Sequence, residues 1–141
     1  MKIYQEKRFL YLLLISLLIT FLDIFLKRIY LKKGLAIINP DLMYGLKFYF
    51  FDLNFLIYSL FLFFFILSIV GFIKNNDFKF FIFPTIVSLS NVIDRIQFNG
   101  VIDYIKIPIF PYDYFFGYFN LCDATIVIFI IFLFFYEILK K

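Results

Sequence analysis

Four blocks of nearly uninterrupted apolar residues, at about 9–25, 53–73, 78–93 and 119–139, alternate with shorter stretches that hold most of the charges. None of the blocks has the half-polar periodicity of a helix on a soluble protein's surface, and their lengths suit a hydrocarbon core of about 30 Å. The pattern predicts an all-α polytopic membrane protein with four transmembrane helices, a single domain over residues 1–141. The third block is short. From Phe78 it meets Asp94 and Arg95 after about 16 residues, roughly 24 Å of helix, so its charged end is expected at or inside the far interface. The first block is flanked by Lys7–Arg8 and Lys27–Arg28. It exceeds the roughly 7–15 residue core of a signal peptide and has no small-residue cleavage site behind it.

The connections have their own character. Between the third and fourth blocks, residues 97–118 contain Gly100, Pro108, Pro111 and Gly117, and Val101 to Ile107 alternates in the manner of a strand. The connection between the first two blocks, residues 29–52, mixes Gly34, Pro40 and Gly45 with aromatics. With an even number of spans both connections lie on one side, where they are expected to form a small extended or β platform at the interface. The tight polar run Lys74-Asn75-Asn76-Asp77 reads as a turn. Lys and Arg divide equally between the two sides, so charge alone does not set the orientation.

Composition sharpens this reading. The 141 residues are 65% hydrophobic and 26% aromatic, with 17% charged, against about 45–50% apolar in soluble domains. The net charge of +4 comes from short clusters at block ends, which suits membrane lipid headgroups as partners, and no basic run suggests nucleic acid. There is no histidine and a single cysteine, Cys122. That removes Ser-His and Cys-His nucleophile pairs, histidine-liganded zinc and an internal disulfide. No metal or cofactor is expected, and acid-base work must fall to carboxylates, lysine or serine.

Acids at membrane depth are costly, at about 2.5–3.5 kcal/mol on insertion scales, so each is a functional candidate. Asp23, Asp94, Asp103 and Asp123 all belong at the same face. Asp23 and Lys27 stand at i and i+4, and mutual neutralisation is the favoured reading for them. Asp94-Arg95 reads equally well as interface charge. Asp103 and Asp123 have no basic neighbour in sequence; two carboxylates sharing a proton can serve as base and acid towards one water. Asp123 at a helix N-terminus would be the ionised partner. Taken alone, though, Asn120-Leu121-Cys122-Asp123 reads as a capping box. A Ser-Lys dyad using Ser88 or Ser90 is the rival catalyst, disfavoured because no lysine lies inside an apolar stretch. A small proton-coupled transporter using Asp23 and Asp123 is a further alternative.

Three linked segments resemble the lipoprotein signal peptidase (signal peptidase II) family of bacteria: Asn91-Val92-Ile93-Asp94-Arg95, then Gly100-Val101-Ile102-Asp103-Tyr104, then Phe119-Asn120-Leu121-Cys122-Asp123-Ala124. Asp23 to Lys27 is similar to the family's first-helix D-x-x-x-K, and Asn39 to Gly45 to its first outer loop. Ser90 and Cys122 stand where the family has Gly and Ala. The resemblance implies an aspartic endopeptidase that removes signal peptides from diacylglyceryl-modified prolipoproteins just before the lipidated cysteine. It implies Asp103 and Asp123 as the catalytic pair, with Asn91, Asp94, Arg95, Asn120, Asp23 and Lys27 supporting, and Asn39, Tyr44 and Gly45 as substrate-loop residues. It also implies globomycin-type inhibitors as ligands and a place in the bacterial cytoplasmic (inner) membrane. There, both termini would be cytoplasmic and the site near the outer face. An inactive lipopeptide-binding protein of the same fold remains the alternative.

Overall fold

The computed structural model describes residues 2–40, 53–74, 76–109 and 114–139. Four helices dominate: α1 (Lys2–Lys32), α2 (Leu53–Lys74), α3 (Ile82–Phe98) and α4 (Leu121–Leu139), with a 3-10 turn over Asp77–Phe81 leading into α3. By length and apolarity α1 and α2 could each cross a membrane, whereas the apolar part of α4, Leu121–Tyr136, is shorter. Four short strands, β1 (Ile37–Asn39), β2 (Val101–Asp103), β3 (Ile105–Ile109) and β4 (Tyr114–Phe119), form two antiparallel pairs, β1–β2 and β3–β4.

The α1 helix turns its polar stripe inward. Ser16, Thr20, Asp23 and Lys27 recur at three to four residue spacing and are all buried, while Leu18 and Phe21 are 67% and 71% exposed. In water this would be an inverted helix, since burying one such apolar side chain contributes about 1.5–3 kcal/mol. In lipid it is the favourable arrangement, because polar groups there pack against other helices. The partner is α3, which packs against α1, α2 and α4. Thr20 Oγ1 donates to Ile86 O at 2.8 Å, and Phe83 and Val87 of α3 pack on Cys122 of α4 to form the buried apolar centre.

Three boundaries differ from the sequence reading. The first helix does not stop near Phe25 but continues to Lys32, because Lys27 points into the bundle and not to an interface. It ends where Gly34, at φ 68°, lets Gly34 N and Leu35 N reach back to Leu31 O and Tyr30 O at 3.1 and 2.9 Å, a glycine C-cap. The third block opens as the 3-10 turn capped by Asn76 and becomes α-helical only at Ile82. It then runs through Asp94 and Arg95 to Phe98, with Arg95 in its last turn, and both charges are buried. The fourth helix begins at Leu121, and Phe119 belongs to β4.

The platform joins both long connections. β1 pairs with β2 in the register Ile37↔Asp103 and Asn39↔Val101. The left-handed residue at the end of α3 is Asn99, at φ 54°, and not the following glycine. Gly100 serves close approach instead, since a Cβ there would lie 2.9 Å from Asn39 O. Gly117, at φ 118°, occupies the irregularity that shifts the β3–β4 register between Lys106 and Pro108.

Candidate active site

The C-terminal ends of α1 and α3 and the first turn of α4 meet under the β1–β2 pair, and all four candidate acids gather there. Asn120 is the link between the two aspartates of interest. Its side chain caps α4 by accepting from Asp123 N at 3.0 Å, and its backbone N–H donates to Asp123 Oδ2 at 3.3 Å. That is the reciprocal capping box of the sequence reading. The same side chain donates through Nδ2 to Asp103 Oδ1 at 2.9 Å. Capping and site assembly are therefore one feature.

Each aspartate is held by a second amide. Asn39 Nδ2 donates to Asp103 Oδ2 at 3.1 Å, and Asn91 Nδ2 donates to Asp123 Oδ1 at 2.8 Å. The ion pairs instead belong to Asp23 and Asp94. Burial, and after it the negative charge of Asp123, push the Asp103 carboxyl up from its ordinary 3.8 to about 6, against the opposing donors of Asn39 and Asn120. A neighbouring carboxylate that raises Asp103's cost of ionisation favours the proton on Asp103.

Asp103 and Asp123 line one cavity of about 450 Å³, with Asn39, Asn91 and Arg95 at its polar end. Beyond them its walls are apolar, from Phe61 and Phe64 of α2 to Phe129 and Leu133 of α4. Arg95 Nη1 donates to Pro40 O and to Asn54 Oδ1, each at 3.3 Å, so it joins α3 to the start of α2 and to the residue after β1.

Asp23, Lys27 and Asp94 form a separate buried cluster behind this wall. Lys27 Nζ lies 2.9 Å from both Asp23 Oδ2 and Asp94 Oδ2. The expected i,i+4 pair is present, joined by a third member that sequence spacing could not supply. Lys27 is fully buried, contrary to the expectation that no lysine lies at depth. It does contact Ser90 Oγ, at 2.8 Å, the geometry of the rival dyad. Ser90 donates to Asp23, however, and is itself fully buried, while Lys27 is ion-paired to both Asp23 and Asp94. Neither residue lines the cavity. Asp94 also accepts from Ile102 N at 3.2 Å, fixing β2 to α3.

Ser90, weighed from the sequence only as a rival nucleophile, and Tyr104 and Asn54, given no role there, complete the arrangement. Tyr104 Oη donates to Asp23 Oδ1 at 2.9 Å and accepts from Leu121 N at 3.2 Å. Burial and Asp23 keep that hydroxyl protonated well beyond the usual tyrosine range. Position beside Asp103 was the available signal for Tyr104, as was a lone amide in an apolar block for Asn54. Tyr44 and Gly45 lie outside the described residues. Compared with protein-family models, characterised proteins and solved structures, the chain matches none.

Proposed function

We propose that this chain is an intramembrane aspartic endopeptidase of the lipoprotein signal peptidase type. It would span the bacterial cytoplasmic membrane four times and cut diacylglyceryl-modified prolipoproteins before the lipidated cysteine. The observation that carries the reading is the placement of Asp103 and Asp123, amide-held and outside the ion cluster, at the polar end of an apolar cavity. A soluble substrate has no use for such walls. Acyl chains and an apolar signal segment do, and packing against them would set the scissile bond at the depth of the dyad.

In this mechanism Asp123, at the N-terminus of α4 where the helix dipole favours charge, takes a proton from a water whose oxygen bonds to the scissile carbonyl carbon. Asp103, protonated, donates to the carbonyl oxygen as it gains charge. Collapse of the tetrahedral intermediate breaks the C–N bond. The proton held by Asp123 passes to the leaving nitrogen and the one lent by Asp103 returns to it. The transporter alternative is disfavoured because Asp23 faces away from the cavity, with both oxygens occupied by Tyr104, Leu121, Ser90 and Lys27.

The test is incubation of the purified protein with a diacylglyceryl-modified lipobox peptide and its unlipidated counterpart, with products identified by mass. Cleavage before the lipidated cysteine of the first peptide only is expected. Binding of the lipopeptide with no cleavage would replace the peptidase by a binding protein of the same fold.

A further inference from the structure

The ion cluster and the dyad are connected through one side chain. Asn91 accepts from Lys27 Nζ at 2.6 Å through Oδ1 and donates to Asp123 Oδ1 at 2.8 Å through Nδ2. We propose that Lys27 is a positioning residue, whose ammonium fixes the Asn91 amide with its NH2 group turned to Asp123. This deepens the peptidase reading and rests on it for its kinetic part.

Donor inventory forces the orientation. An ammonium has three donors and no acceptor, and an ionised carboxylate only accepts, so an amide between the two can satisfy both in one orientation alone. Without Lys27 the amide could turn its oxygen towards Asp123, setting acceptor against acceptor and leaving buried groups unpaired. The ammonium is itself immobile. Four acceptors, on Asp23, Asp94, Ser90 and Asn91, surround its three N–H groups, and it is fully buried. The same cluster places the other end of Asp123's turn, because Asp23 Oδ1 accepts from Leu121 N, the first residue of α4, at 3.0 Å. α1 thus fixes Asp123 twice, once through the start of its helix and once through Asn91. The remaining charged groups around this line, Asp103 and Arg95, bond to other partners.

Side-chain amide NMR of the detergent-solubilised full chain, labelled with 15N-asparagine, tests this without requiring turnover. The Asn91 NH2 signal, identified by its loss in Asn91→Ala, is expected downfield and to move on Asp123→Asn. In Lys27→Met it should lose both the downfield position and that response; a signal unchanged by Lys27→Met would overturn the proposal. Because this variant leaves two buried carboxylates short of a partner, the charge-balanced Lys27→Met/Asp94→Asn pair is measured beside it, with the same loss expected. The kinetic arm is a double-mutant cycle. Asn91→Ala should lower kcat about tenfold or more with KM changed less than about threefold, and adding Lys27→Met should cost less than about twofold further. Losses that multiply would overturn it. Absence of cleavage by the unsubstituted protein would sink the peptidase reading alone, with the NMR result still standing.

Discussion

A carboxyl held near pH 6 keeps its proton where an ordinary aspartate has lost it. In the proposed mechanism Asp103 is then the donor of the pair, and kcat/KM is expected to fall as pH rises through about 6, seen as the basic limb of the pH-rate profile. Stability moves with it. The folded chain binds this proton more tightly than the unfolded chain, so the stabilisation is complete below the ordinary value of 3.8 and is lost as pH rises through about 6. Asp103→Asn has no such loss. Its melting temperature minus that of the unsubstituted protein should therefore be larger at pH 7.5 than at pH 4.5, by thermal unfolding in detergent; a difference independent of pH would contradict the shift. At this scale the sequence was read well but not fully. It presented Asn120 and Asp123 as a capping box, which their reciprocal hydrogen bonds form. The structural roles of Ser90 and Tyr104 were not legible because a hydroxyl's partners, here Asp23 and the N–H of Leu121, come from other elements.

Between elements, little change is tolerated where β1 crosses Gly100. A methyl group there meets Asn39 O and Ile38 Cγ2, each at 2.9 Å, so Gly100→Ala must push β1 away and with it the Asn39 amide that holds Asp103. The expected cost is about 1–3 kcal/mol of stability, together with a fall in kcat, read by unfolding and by peptide cleavage. Tyr104→Phe removes a hydroxyl shared by Asp23 and the first amide of α4, and should cost about 1.5–3 kcal/mol, measured in the same way. The extended character of Val101 to Ile107 was legible from alternation alone. The length of α1 was not, because Lys27-Arg28 reads locally as an interface, and only the acids of α3 and its own turn make an inward lysine tolerable.

Over the whole molecule, apolar side chains face outward on α1, α2 and α4, Phe21, Phe55 and Ile128 each at 67–71% exposure, while the polar residues of α1 face inward. Such a surface suits lipid, in keeping with two helices that could cross a membrane. The chain is expected to stay with membranes through alkaline carbonate washing and to require detergent for release; recovery in the soluble fraction would contradict the four-span reading. Apolar block lengths made this organisation legible, whereas the convergence of α1, α3 and α4 on one polar centre depends on packing between distant segments. The proposed dyad stands at that centre, and it is most directly tested by Asp103→Asn and Asp123→Asn in purified protein given the lipidated peptide. With the thermal transition checked for each variant, loss of cleavage by about a hundredfold or more is expected in both. Cleavage retained near the unsubstituted rate in either one would contradict the assignment.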